Sequence, residues 1–281
     1  MKFGAALRVP GGEVDLTSYR ADGTPGFAGG KKSGTKALAK LGAELAELQE
    51  RLFAHGQAGG ERSVLLVLQG MDTSGKGGTL RSTVGLVDPQ GVRITSFKAP
   101  TDEELAHDFL WRITNALPEP GYVGVFDRSQ YEDVLAARVR GLAAPDEIER
   151  RYDAINAWER EQIERGTVLI KCMLHISPEQ QKRRLLQRLD NPEKHWKFSP
   201  GDIDDRRLWP EYQRAYEIAL ERTHTQHAPW HVIPADRKWY RNLAVAHLLR
   251  EALLGLDLRW PVADFDVAEQ RRRLIKEKLH L

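Results

Sequence analysis

Seven residues constrain this chain more than any others: Gly70-Met71-Asp72-Thr73-Ser74-Gly75-Lys76. They follow Val64-Leu65-Leu66-Val67-Leu68, an unbroken apolar run that ends at Gln69. A G-x-x-x-x-G-K segment between a buried strand and a helix has the spacing of a phosphate-binding loop. Its glycines permit positive φ and let successive backbone N–H groups converge on one concavity. The helix that follows adds the positive end of its dipole. Lys76 then has the reach to touch the outer oxygens of a phosphate chain, and Gly75, Gly77, Gly78 and Thr79 complete the expected cradle. Position 77 is glycine where such loops carry Ser or Thr for the metal. The metal role therefore falls to Asp72, whose hard carboxylate oxygens suit Mg²⁺, with Thr79 as an assistant. The competing reading is a glycine-rich turn without a ligand. The preceding strand, the lysine and the following helix favour the loop.

Four more short candidate strands succeed the first: Val92 to Phe97, Tyr122 to Phe126, Val168 to Ile176, and Trp230 to Ile233. Strands that read as continuous apolar runs are buried on both faces, as in a parallel sheet covered by helices. Between them lie helical patterns: Asp102 to Leu117, a helix from Gln130, another from Pro145, and Pro178 to Leu189. Arg237 to Leu254 and Phe265 to Leu279 follow. Ahead of the first strand, Leu38, Leu41, Leu45, Leu48 and Leu52 recur three and four apart, one face of an amphipathic helix. The expected fold class is α/β, a parallel sheet of about five strands with helices on both faces. Residues 35–281 read as a single domain. Residues 1–34, with eight glycines and two prolines, read as an irregular N-terminal arm. That arm is either a loosely ordered tail or a segment packed on a neighbouring subunit.

Composition narrows the function classes. The 281 residues carry 42 basic and 40 acidic side chains, too small an excess for a general nucleic-acid binder. No apolar run approaches a bilayer span, and the N-terminus lacks a signal-peptide core. A single cysteine, Cys172, excludes an intramolecular disulfide framework and a multi-cysteine zinc site. A cytoplasmic protein that touches neither membrane nor nucleic acid is the expectation.

Two further segments carry charge in useful places. The third candidate strand ends in Asp127-Arg128. An acid at a strand end beside a phosphate loop supplies a second metal contact, and Arg128 is placed to neutralise a phosphoryl group. Residue 128 is not Glu, so the carboxylate that activates water in many ATPases is absent, which favours transfer over hydrolysis. No Asn-Lys-x-Asp element for reading guanine occurs. From Lys182 to Lys197 the chain holds Lys182, Arg183, Arg184, Arg188, Lys194 and Lys197 against Asp190 and Glu193. Arg184 and Arg188 share a helix face. The stretch Asn191 to Lys197 reads as a mobile cover, and a basic lid over phosphates would exclude water and stabilise spread negative charge. A solvated helix face is the bland alternative.

These elements together resemble the polyphosphate kinase type 2 family over roughly residues 35–250. The family-like strings are GMDTSGKGGT at 70–79, DPQGVRITSFKAPTDEELAHDFLWR at 88–112, FDRSQYEDVL at 126–135, and DNPEKHWKFSPGDIDDRRLWPEYQRAYE at 190–217. The resemblance implies a P-loop kinase-like fold, with the first and third strands adjacent and a helical lid around 178–217. It implies reversible phosphoryl transfer between inorganic polyphosphate and AMP or ADP, giving ADP or ATP, with GMP and GDP as possible acceptors. It implies Mg²⁺, with Mn²⁺ as a substitute, and a homodimer or homotetramer. Carried over by position, Asp72 and Asp127 hold the metal. Lys76, Arg128 and the basic lid residues clamp phosphate. Lys98, Pro100, Thr101 and Asp102 lie near the nucleoside. Two rivals stand beside this reading: an ATP-dependent nucleotide kinase of the thymidylate-kinase type, and a non-catalytic polyanion-binding protein.

Overall fold

A computed structural model describes residues 3–278. Five strands form one sheet: β1 (Ser63–Gln69), β2 (Val92–Ser96), β3 (Val123–Asp127), β4 (Thr167–His175) and β5 (Trp230–Pro234). All pairings are parallel, in the order β2-β3-β1-β4-β5. Every residue of β1 is buried, as a central strand covered on both faces requires. The expected strands are all present, and the expected adjacency of the first and third holds.

The helices are α1 (Phe3–Leu7), α2 (Lys31–Gln57), α3 (Lys76–Thr83), α4 (Asp102–Leu105), α5 (Trp111–Asn115), α6 (Ala136–Val139), α7 (Pro145–Glu164), α8 (Pro178–Leu189), α9 (Gly201–Arg207), α10 (Trp209–Thr223), α11 (Lys238–Gly255) and α12 (Val267–Lys276). One group, α2, α3 and α11, packs together and rests on the sheet through α11. A second, α6, α7 and α10, reaches it through α7. The leucine stripe of α2 works as its spacing predicts: Leu41, Leu45 and Leu52 are buried. Each fully buried leucine contributes about 2 kcal/mol. Gly34 lets α2 approach α11, since a Cβ there would lie 2.3 Å from Trp239 Cε3. Helix starts follow local rules. Pro178 opens α8 behind Ser177, whose Oγ accepts from Gln180 N–H at 3.2 Å.

Three expectations change. The single helix from Asp102 to Leu117 is two short ones. Asp108 Oδ1 takes the Leu110 N–H at 2.9 Å, a bond that an unbroken helix would give to the Ala106 carbonyl. Leu105, spaced to share one side of a continuous helix with Phe109, Ile113 and Leu117, is exposed. The N-terminal arm is neither loose nor free of helix. Phe3 and Leu7 of α1, with Val9, Val14 and Leu16, are buried in the chain's own core. Glu251 accepts from the Phe3 and Gly4 amides, Glu221 from Val14 and Glu217 from Leu16. Val9 N–H donates to Trp230 O at 3.0 Å and Arg8 bridges His231, so the arm covers the open edge of β5. The cover at Asn191 to Lys197 is a 3₁₀ helix over Pro192–Lys197 rather than irregular chain. The expected C-terminal helix runs over Val267–Lys276, and Leu279 lies outside the described residues. Among the described residues no helix is long and apolar enough to cross a membrane.

Sheet register fixes where the chemistry sits. Leu68 pairs with Asp127 on one side and Cys172 on the other. The carboxyl ends of β1 and β3 therefore open at the same edge, where the strand order switches direction and α/β sheets bind ligands.

Candidate active site

A cleft of about 780 Å³ lies at that edge. Its floor is the loop between β1 and α3. Gly75 has φ 111°, and Thr73, a non-glycine, has φ 62°. These left-handed residues curl the chain so that its amides face inward, and α3 begins at Lys76 directly behind them. Asp72, Gly75, Lys76, Gly77 and Gly78 all line the cleft, as the sequence predicts.

Lys76 is buried, and its Nζ donates to Gly70 O at 2.8 Å. Burial and the Arg128 charge hold its pKa below the usual lysine range, against the raising pull of Asp72, Asp127 and Glu132. Asp72 shows the opposite balance. Burial pushes its carboxyl up, but Lys76, Arg128 and Arg188 outweigh it and hold the group below its ordinary value. Asp72 is thus ionised and available to a cation. Asp127 and Arg128 come from the end of β3 and line the same cleft. Arg128 takes φ 68°, its N–H donates to Leu68 O at 3.1 Å, and its Nη2 lies 3.2 Å from Asp72 Oδ1. A bulky residue in that conformation is strained.

The carboxylates fit a hard divalent ion. Among the described residues no group of three or more His, Cys, Asp or Glu side chains could hold a metal by itself. Asp72 and Asp127 alone suit Mg²⁺, which keeps its waters and takes its other ligands from substrate phosphates. Thr73 Oγ1 and Ser74 Oγ are buried in the loop without a hydrogen-bond partner. Such orphaned hydroxyls are costly unless a ligand or its hydration shell satisfies them.

The lid residues divide. Arg188, Lys194 and Lys197 line the cleft. Arg188 Nη1 donates to Lys197 O at 2.8 Å and to Asp202 Oδ2 at 3.3 Å, tying α8 to the lid and to α9. Lys182 and Arg183 are exposed and do not line it. Arg184 lines it but spends its fork on backbone. Nη1 donates to Thr73 O at 2.7 Å and Ser74 O at 3.1 Å, and Nη2 to Ala235 O at 2.7 Å and Asp236 O at 2.9 Å. It braces the phosphate loop where the sequence placed a polymer clamp. Thr79 is fully buried and its Oγ1 donates back to Gly75 O at 3.2 Å, so it does not face the cleft. Of the nucleoside candidates, Lys98 lines the cleft, whereas Pro100, Thr101 and Asp102 are exposed and outside it. Thr101 caps α4 in a reciprocal pair with Glu104.

Sequence reasoning missed several residues. Arg81, Trp196 and Asp202 line the cleft, as do Lys238 and Arg241 from the start of α11. Glu132 stands behind Lys76 and Arg128, where burial raises its pKa despite both cations. Gln69, with its amide oriented to satisfy both ends, donates to Glu132 Oε1 at 3.0 Å. A signal for the α11 pair existed. Lys238 and Arg241 occupy the first turns of a helix that has no acid there, and cations at a helix N-terminus oppose the dipole.

Comparisons with known proteins show the family. The family model for polyphosphate kinase 2 matches residues 29–258. An AMP/ADP-polyphosphate phosphotransferase of Meiothermus ruber is 48% identical over 252 residues, which covers 90% of this chain and 93% of that one. An ADP-polyphosphate phosphotransferase of Rhodopseudomonas palustris is 36% identical over 287 residues, 96% of this chain and 98% of that one. The crystal structure of polyphosphate kinase 2 from Arthrobacter aurescens superposes with a TM-score of 0.96 at 53% identity, covering 99% of this chain and 98% of that one. A chain with this loop, this strand-end pair and these matches belongs to the polyphosphate kinase 2 family.

Proposed function

We propose that the protein transfers phosphoryl groups reversibly between inorganic polyphosphate and AMP or ADP, making ADP and ATP. The observation that carries this reading is the pairing inside one cleft of Asp72, Asp127, Lys76 and Arg128 with a wall of lysines and arginines from the lid and α11. A bare phosphoanhydride chain carries charge on every unit and no base, so it needs such a wall. Family membership and the name of the 48% identical relative, an AMP/ADP-polyphosphate phosphotransferase, favour both AMP and ADP as acceptors. GMP and GDP are further acceptors to be tested.

In this reading the terminal oxygen of the acceptor attacks the end phosphorus of the polymer. The new O–P bond forms as the bridging P–O bond breaks, and the polymer leaves one unit shorter. The attacking oxygen is already anionic, so no strong general base is needed. The protein contributes alignment and charge compensation. Main-chain amides of the loop and Lys76 hold the transferred group, Arg128 faces its developing charge, and the basic lid excludes water. Asp72 and Asp127 are the residues that would hold Mg²⁺, with Mn²⁺ as a substitute, and the bound ion would neutralise phosphate charge. We propose a cytoplasmic homodimer or homotetramer that binds no nucleic acid.

The test is a donor and acceptor panel: AMP, ADP, GMP and GDP with polyphosphate and Mg²⁺, and the same acceptors with ATP as sole donor. Phosphorylated product from polyphosphate without ATP supports the assignment. Turnover with ATP alone would instead mark a thymidylate-kinase-type enzyme, and metal-independent binding without turnover a polyanion-binding protein.

A further inference from the structure

Arg241 is 2% exposed and its Nη1 donates to Ser74 O at 3.1 Å, the carbonyl that Arg184 Nη1 also reaches at 3.1 Å. Two guanidiniums thus converge on one backbone oxygen behind the phosphate loop. Its Nε and Nη2 donate to Asn242 Oδ1, a neutral group, at 3.2 and 2.8 Å. Among the described residues neither arginine forms an ion pair, since every bond they make is to a carbonyl or an amide. The acid nearest in effect to Arg184 is Asp236, and its carboxylate is engaged by Ser177 N at 2.9 Å and Oγ at 2.7 Å.

Contact with the loop is close. A Cβ on Gly75 would lie 1.7 Å from Arg241 Nη1, and one on Gly78 would lie 2.8 Å from Nη2. The guanidinium occupies the side-chain space of the glycines that shape the nest. Lys238, one turn earlier, lines the same wall, and burial together with Arg184, Arg241 and Lys194 lowers its pKa. Burial and Arg184 likewise push Arg241 below its ordinary value. Unpaired buried charges are costly, and neighbouring like charges more so. A neutral side chain could hold the Ser74 carbonyl without that cost.

We propose that Arg241 is a positioning residue for the phosphate donor, keeping an uncompensated positive charge against the loop so that bound phosphate is the counter-ion that it and Arg184 lack. The proposal rests on the functional reading of this cleft and adds to it a residue from the last helix before the C-terminal segment. It makes the free protein less stable than its packing allows, and it turns that deficit into anion affinity.

The experiment uses full-length protein with Arg241→Gln and Arg241→Lys. Melting temperature is measured with and without millimolar tripolyphosphate, and KM for polyphosphate and kcat are measured at saturating ADP. Wild type is expected to melt higher with tripolyphosphate. Arg241→Gln is expected to melt no lower than wild type without the anion, to lose more than about half of the anion-induced rise, and to raise KM for polyphosphate by roughly tenfold. Arg241→Lys, which keeps the charge and loses the fork, should fall between the two. A Gln variant that melts lower alone, yet keeps the full rise and an unchanged KM, would show Arg241 to be a brace only and overturn the proposal. If the Gln variant does not fold, the Lys variant decides. A KM raised at least about threefold with kcat unchanged supports the proposal, and an unchanged KM overturns it. A wild-type protein indifferent to tripolyphosphate would fail in a different way, removing the functional reading of the cleft and this inference with it.

Discussion

Arg128 Nη2 lies 3.2 Å from Asp72 Oδ1, so the residue proposed to clamp phosphate and the one proposed to hold the metal neutralise each other across the mouth of the loop. Substrate and cation together would exchange this single bond for two, Asp72 to the ion and Arg128 to a phosphoryl oxygen. Arg128→Ala should then have a double signature. It should lower kcat/KM by roughly 100-fold, while the Mg²⁺ concentration for half-maximal residual activity falls because Asp72 loses a competitor. Asp127→Asn should cost a similar factor and move the Mg²⁺ requirement the other way. Mg²⁺ titrations of both variants read this directly, and midpoints that shift in the same direction would contradict the division of roles.

Lys76 Nζ donates to the loop's own Gly70 carbonyl. In the proposed role the ammonium would exchange that bond for a phosphate oxygen. Lys76→Ala should lower kcat/KM by roughly 100-fold or more while circular dichroism and melting stay near wild type. Near-full activity would remove the loop assignment.

The basic run on α8 contains residues with opposite fates, and mutation should separate them. Arg184→Ala leaves the carbonyls of Thr73, Ser74, Ala235 and Asp236 without their charged donor. The cost should be about 2–3 kcal/mol of stability, seen in urea unfolding. Lys182→Ala and Arg183→Ala, both exposed, should change stability by no more than about 0.5 kcal/mol. They should also leave the salt dependence of polyphosphate KM intact, whereas removing Lys194 and Lys197 should flatten it.

That contrast shows what local sequence can and cannot reveal. The loop from Gly70 to Lys76 was legible because one strand, one turn and one helix contain all its parts. β1 was legible because a central strand buried on both faces leaves an unbroken apolar run, whereas β2, a half-exposed edge strand, shows only the β-branched residues Val92, Ile94 and Thr95. Arg184 was legible as a charge but not in its aim, since its acceptors lie about 110 residues before it on one side and 51 and 52 after it on the other. Lys238 and Arg241 reach the cleft only because β5 pairs with β4 and points α11 at the loop. The arm's burial was hidden for a similar reason. Its apolar residues show no period of their own, because they fill gaps left by α10, α11 and β5.

His231 gives stability a pH signature. It is 8% exposed, and its Nδ1 lies 3.2 Å from Lys171 O, an acceptor, so that nitrogen carries the proton. Burial pushes its pKa down to about 4 from 6.5, helped by Arg8, His224 and Lys171 and opposed by the Lys171 carbonyl bond. Between those values the unfolded chain binds a proton that the folded chain refuses. Its contribution is therefore complete above pH 6.5 and is lost as pH falls toward 4, on the order of 3 kcal/mol. Burial moves His175 and His247 the same way. Melting temperature should fall between pH 7 and pH 5, and His231→Gln should flatten that slope. An equally steep slope in the variant would assign the effect elsewhere.

Lys171 and Glu159 form a fully buried ion pair at 2.7 Å, beneath the segment that carries Arg128 and Glu132. Lys171 Nζ also donates to Tyr131 OH at 3.0 Å and Thr223 O at 2.7 Å, while Glu159 Oε1 accepts from Tyr131 OH at 2.7 Å and Gln130 Nε2 at 3.3 Å. The pair thus fixes both residues that precede Glu132 in the chain. Burial pulls the Lys171 pKa down and Glu159 pulls it back, so each charge depends on the other. Lys171→Met leaves a carboxylate buried alone and should cost about 3–5 kcal/mol. Lys171→Met with Glu159→Gln removes both charges and keeps an acceptor for Tyr131, so it should recover at least about half of that loss. Urea unfolding of the two single variants and the double variant closes the cycle. Additive losses would mean that the pair is not coupled. A recovered fold whose kcat stays depressed would show that the ion pair aims the Arg128 segment as well as holding the core.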